Sequence, residues 1–258
     1  MGWSLSLSFF ALVYFILCSV YLLLGVSRRS QWQKASLKCL PIGSLLLLAV
    51  WTSQLEHQPS RGDTTSEQHV TEGRGETIRL LLLGLGLSIA GDALLVFRGT
   101  LGLLGVLSFS VAQCVYIALF GLTLERVAEQ SFLGLLSGLG VFSLSLLILL
   151  VFSWRFSTVL KSGEHGMRRR FIGLVMPIAL AYFVLISLML WSSILQLQQA
   201  FNLLNVLGAV GGLLFYVSDI LIAAGAIWQL RVLLHGRILV MTTYFGAQLL
   251  ITISVVAT

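Results

Sequence analysis

Apolar residues fill this chain in eight long runs separated by polar breaks, at about 3–26, 37–55, 78–97, 101–124, 132–153, 171–195, 203–229 and 238–257. Each run is close to the roughly 20 residues that carry a helix across the hydrocarbon core of a bilayer. The pattern predicts an all-α integral membrane protein, a single-domain bundle of eight transmembrane helices. The one sizeable polar stretch, 56–77, is rich in Ser, Thr, Gly, Gln and Glu. It is expected to be a mobile loop between spans 2 and 3. Residues 1–26 lack a basic leader, and their apolar run is longer than a signal peptide's core, so they read as the first span.

Composition agrees: 57% of the residues are hydrophobic and 10% charged, against roughly 25% charged in a soluble domain. The charges then orient the bundle. If the spans alternate, connections 1–2, 3–4, 5–6 and 7–8 share one side. They carry Arg28, Arg29, Lys34, Lys38, Arg98, Arg155, Lys161, Arg168, Arg169, Arg170, Arg231 and Arg237, twelve of the sixteen Lys and Arg residues. The positive-inside rule makes that side cytosolic and puts both termini on the non-cytosolic side. The net charge of +6 therefore reflects topology and gives no reason to expect a nucleic-acid partner. Cys18, Cys39 and Cys114 all lie in apolar runs, which argues against a disulfide framework.

Two acids break the apolar pattern. Asp92 and Asp219 sit deep inside runs, in the similar strings Gly91-Asp92-Ala93-Leu94-Leu95 and Ser218-Asp219-Ile220-Leu221-Ile222. A carboxylate in hydrocarbon costs several kcal/mol unless paired or neutralised, so such acids are functional-site candidates by default. The likeness of spans 3 and 7, together with Pro41-Ile42 in span 2 and Pro177-Ile178 in span 6, predicts two parallel four-helix halves.

Depth connects the acids to other polar residues. Counting 1.5 Å per residue back from Arg98 and Arg231 sets Asp92 and Asp219 roughly 9 and 18 Å from the cytosolic ends of their spans. Spans 2, 4 and 8 run the other way, and their early residues Lys38, Gln113, Tyr116, Tyr244 and Gln248 share that half of the bilayer. Tyr244 and Gln248 lie four apart on one helix face, as do Ser88 and Asp92, and Tyr216 lies three from Asp219. One buried polar pocket accommodates all of them, with Ser218 beside Asp219. Single Gln, Ser and Tyr residues in membrane helices also serve as interhelical hydrogen-bond glue. Lys38 is equally suited to snorkelling toward the headgroups.

Two carboxyl groups in one dry pocket do not both ionise cheaply, which leaves a neutral acid beside a carboxylate. That pair suits hydrolysis of an acid-sensitive bond. A metal centre is disfavoured because His57, His69, His165 and His235 all fall in connections and no cysteine pair has ligand spacing. No cofactor is expected. A serine nucleophile lacks an intramembrane His and the Gly-x-Ser-x-Gly elbow. An intramembrane aspartyl protease is disfavoured by Ile89-Ala90-Gly91 before Asp92. A proton-coupled carrier using the two acids stays open.

At these residues the chain resembles the lysoplasmalogenase family, also called the transmembrane protein 86 or YhhN-like family. The matching segments are Lys38-Cys39-Leu40-Pro41-Ile42, Gly91-Asp92-Ala93, Phe109 through Tyr116 to Phe120-Gly121, Leu214 through Asp219, and Met241 through Gln248. They occur in family order, and the resemblance runs from about 35 to 257. It implies an eight-span enzyme that hydrolyses the vinyl ether of a lysoplasmalogen to a fatty aldehyde and a glycerophospho-base. The partners implied are a lysophospholipid substrate and the lipid bilayer, and the expected location is the endoplasmic reticulum or another endomembrane. The family's two membrane aspartates map onto Asp92 and Asp219 as catalytic residues. Lys38, Gln113, Tyr116, Tyr216, Ser218, Tyr244 and Gln248 are the expected substrate-binding set, with Lys38 meeting the lipid phosphate. Family members often carry His where this chain has Gln113, and a neutral amide does not shuttle a proton.

Overall fold

A computed structural model of the chain describes the backbone of residues 2–24, 30–56, 65–97, 100–121, 131–161, 166–227 and 234–257. Among these residues the elements are eight α-helices: α1 (Gly2–Leu24), α2 (Gln31–Glu56), α3 (Thr65–Val96), α4 (Thr100–Leu119), α5 (Phe132–Lys161), α6 (Gly166–Gln199), α7 (Leu203–Ile227) and α8 (Leu234–Val256). Seven of them, α2 to α8, contain segments long and apolar enough to cross a membrane, and α1 carries a shorter apolar stretch, Ser8–Leu24. The chain is an integral multi-pass membrane protein.

Local chemistry sets several helix ends. Ser30 and Gln33 exchange side-chain hydrogen bonds with each other's backbone N–H at 3.2–3.3 Å, a capping box at the start of α2. Ser131 caps α5 through the Gly134 N–H, and Asn202 caps α7 through the Asn205 N–H. Gly121, at φ 71°, supplies the left-handed residue that ends the turn after α4. One boundary departs from expectation. The 56–77 stretch reads as a loop, yet α3 begins at Thr65, while 57–64 lie outside the described residues. Glu67, Gln68 and Glu72 are good helix formers, and extending a helix already nucleated by its apolar part is inexpensive.

Six helices close a ring in which α2 packs on α3, α3 on α4, α4 on α6, α6 on α7, α7 on α8, and α8 back on α2. The other two lie outside it, α1 against α2 and α8, and α5 against α6 and α7. The α3–α4 and α7–α8 pairs are the most extensive, and small residues allow it. A Cβ on Gly91 would stand 2.6 Å from the Phe109 ring, and one on Gly211 would stand 2.8 Å from Ile251. Where membrane helices lack a hydrophobic drive to associate, close backbone approach and packing hold them together.

Candidate functional site

Late residues of α3 and α7 and early residues of α2, α4, α6 and α8 meet at one end of the ring. There they enclose a cavity of about 260 Å³ to which all six helices contribute. Its wall is aliphatic and aromatic, and its polar members are Lys38, Asp92, Tyr182, Asp219 and Tyr244. Leu95 and Ile222 line the cavity and are 37% and 50% exposed. Where these two residues line it, the cavity wall is apolar and not fully buried.

Asp92 is 1% exposed and held from two sides. The Lys38 ammonium lies 2.7 Å from its Oδ1, a charge contact without the angles of a directed hydrogen bond. The Tyr244 hydroxyl donates to its Oδ2 at 2.8 Å. Two sequence features aim these groups. Pro41, inside α2, removes one backbone hydrogen bond within a turn of Lys38. Gly91 lets Phe109 of α4 pack flat beside the acid. Tyr244 is wedged among Phe109, Phe215 and Phe245, with ring centroids 5.5–6.1 Å apart, so its hydroxyl has little freedom.

Asp219 is partly buried and has a different partner. The Tyr182 hydroxyl of α6 donates to its Oδ2 at 2.6 Å, and among the described residues no cation pairs with it. Behind it, the Ser218 hydroxyl donates to the Val240 carbonyl of α8 at 3.2 Å, which ties this turn of α7 to its neighbour.

The remaining expected site residues lie around the cavity without lining it. Tyr116 donates to Gln248 Oε1 at 2.8 Å, and Gln248 Nε2 donates to Ser88 at 3.2 Å. This wholly buried α3–α4–α8 network sits one turn beyond Asp92. Tyr216 shares a 2.7 Å hydrogen bond with Ser145, which also contacts Ser187 at 2.9 Å, so its hydroxyl serves the α5–α6–α7 contact. Gln113 is fully buried near Tyr182, and among the described residues neither end of its amide meets a partner in hydrogen-bond geometry.

Tyr182 is the polar member of the cavity that the expected set omits. The depth argument that brings in spans 2, 4 and 8 applies equally to span 6, which runs the same way. Counted from the start of its apolar run, Tyr182 lies roughly 16 Å in, level with Asp219. Phe183, which also shapes the wall, carries no sequence signal beyond its apolar character, whereas Phe109 and Met241 begin two of the matching segments.

The arrangement sets one charge-paired carboxylate and one hydroxyl-bound carboxyl in a mostly apolar chamber. Human "Lysoplasmalogenase TMEM86B" is 31% identical over 240 residues, covering 92% of this chain and 82% of that protein. The pig protein of the same name is 30% identical over 94% of this chain and 84% of its own length. Bovine "Lysoplasmalogenase TMEM86A" is 27% identical over 93% of this chain and 85% of its own length. No solved structure matches. The YhhN family model matches residues 33–255, which include every polar residue of the cavity, and the chain belongs to the YhhN family.

Proposed function

We propose that this protein is a lysoplasmalogenase, an ether hydrolase that cleaves the vinyl ether of a lysoplasmalogen within the membrane. The observation that carries this is the shared cavity, in which Asp92 and Asp219 face one apolar space with unlike partners. The names of the relatives support the same activity. Asp92, between an ammonium and a hydroxyl donor, is the carboxylate; a buried charge persists where it is paired and hydrogen-bonded. Asp219, with a single hydroxyl and no cation among the described residues, is the neutral acid.

A vinyl ether is protonated at the carbon remote from oxygen. Asp219 gives that proton, and the resulting oxocarbenium ion is stabilised by the Asp92 carboxylate. Water adds to the cation and passes its proton to Asp92. The hemiacetal then collapses: its hydroxyl proton goes to Asp219, and Asp92 returns its proton to the departing glycerol oxygen. Both acids end as they began. Lys38 keeps Asp92 ionised, and Tyr182 and Tyr244 fix the carboxyl planes. A 260 Å³ chamber is smaller than the roughly 300–1,000 Å³ that encloses a drug-sized ligand. It suits the reacting bond and its neighbours, with the rest of the alkenyl chain leaving past Leu95 and Ile222 into the bilayer.

The same reading includes eight spans, with the cavity in the cytosolic half and the termini on the opposite side. It includes two parallel halves, α1–α4 and α5–α8. Packing supports this: advancing every ring helix by four leaves the ring order unchanged, and α1 on α2 corresponds to α5 on α6, although their second contacts, α8 and α7, do not correspond.

Purified protein in detergent is expected to release fatty aldehyde from a lysoplasmalogen with no ion gradient. Asp92→Asn and Asp219→Asn are each expected to abolish release while still inserting and running as monodisperse protein. Full turnover by either variant sinks the two-acid mechanism. Gradient-dependent lipid uptake into vesicles without chemical change would indicate a carrier instead.

A further inference from the structure

Among the described residues Lys38 is the one amine lining the cavity, and a carboxylate and a hydroxyl stand beside it. The chain has three lysines, Lys34, Lys38 and Lys161. The Lys38 side chain is 13% exposed and its Nζ is 2.7 Å from Asp92 Oδ1. The Tyr244 hydroxyl reaches the other oxygen of the same carboxylate at 2.8 Å. A lysine ammonium does not attack a carbonyl until it loses a proton; the low-dielectric wall favours the neutral amine, whereas Asp92 favours the ammonium at rest and is also the base within reach of it. Asp92 is placed to take the proton and to return it.

We propose that Lys38 is a capture site for long-chain aliphatic aldehydes, which it binds as a reversible imine. The ammonium passes a proton to Asp92, and the neutral nitrogen forms a bond to the aldehyde carbon. A nitrogen proton moves to the oxygen, giving a carbinolamine. Asp92 then protonates that hydroxyl, which leaves as water, and the nitrogen lone pair closes the C=N bond. The product is a protonated imine beside the Asp92 carboxylate. The two charges are neutralised together and restored together, so neither partner is left as an uncompensated buried charge. The aliphatic wall and the edge at Leu95 and Ile222 accommodate the chain. An occupied Lys38 fills the chamber that substrate needs, so the adduct inhibits. That the aldehyde is the protein's own product rests on the hydrolase reading; the capture chemistry does not.

The test adds hexadecanal and sodium cyanoborohydride to the purified full-length protein in detergent and maps the modified residues by peptide mass spectrometry. Hydride converts the imine to a stable secondary amine. The expected result is one hexadecyl group on Lys38, in about ten-fold excess over Lys34 and Lys161, because the cavity holds the aldehyde against the amine. The excess is expected to shrink with propanal, whose short chain the apolar wall holds weakly. Lys38→Arg is expected to lose the label at that position without gaining it elsewhere. Equal labelling of the three lysines, or none at Lys38, overturns the proposal, and mapping the unmutated protein keeps the test independent of how well the variant folds. Aldehyde release without an adduct overturns capture alone. An adduct without release leaves capture standing and sinks the hydrolase reading.

Discussion

Asp92 and Asp219 occupy corresponding places on α3 and α7, each after a small residue and each facing the same cavity, yet their surroundings differ. Asp92 is nearly sealed and answered by a full charge and a hydroxyl; Asp219 is less buried and answered by one hydroxyl. Similar strings have thus been given unlike electrostatics by their neighbours on α2 and α6: a lysine before Pro41 in one case, a tyrosine after Pro177 in the other. Two identical acids become an acid and a base only if something distinguishes them, and among the described residues the Lys38 ammonium is the difference on which the proposed division of roles rests.

The comparison breaks first on stability. Lys38→Met leaves Asp92 as an unpaired buried charge, and breaking one side of a buried pair costs about 3–5 kcal/mol. Thermal unfolding in detergent should show that loss, and Lys38→Met combined with Asp92→Asn should recover most of it. Asp219→Asn alone should change stability by less than about 1 kcal/mol, since a neutral acid and an amide accept the same Tyr182 hydrogen bond. If Asp219→Asn destabilises as much as Lys38→Met, Asp219 carries an unrecognised charge partner and the asymmetry fails.

Rates sharpen it next. Tyr244→Phe removes a hydrogen bond to a charged group, worth about 1.5–3 kcal/mol, and should slow aldehyde release by roughly 10–150-fold. Tyr182→Phe removes a hydrogen bond to a neutral one, worth about 0.5–1.5 kcal/mol, and should slow release by roughly 2–12-fold. The reverse order would exchange the roles of the two aspartates. Smallest is the effect of Tyr216→Phe. Its hydroxyl serves Ser145 outside the cavity, so about 1 kcal/mol of stability should be lost with turnover unchanged. A loss of turnover without a loss of stability would return Tyr216 to the site.

Much of this was legible beforehand, and the remainder has a common cause. Membrane helices announce themselves by length and polarity, so the seven long apolar helices and the two anomalous acids stand out in the chain alone. Lys38 and Tyr244 were expected near the acids from depth, and both reach Asp92. Depth gives height along a helix but not azimuth. Tyr116, Gln248, Tyr216 and Ser218 are at fitting heights and turn their polar atoms into helix–helix contacts. Tyr182 escaped because a lone tyrosine in an apolar run looks like any interfacial aromatic until a partner is known.

The sequence by itself determined that this chain lives in a membrane, where its seven long apolar helices fall, and that two acids in them need an explanation. Those follow from the free energy of moving residues out of water, which each residue carries wherever it is placed. Only the tertiary structure decided which carboxylate received the lysine, which received the tyrosine, and that both border one chamber. Those depend on how six helices rotate against each other. That rotation is set by small residues such as Gly91 and Gly211 and the bulky partners they admit, a property of pairs of helices that neither helix alone encodes.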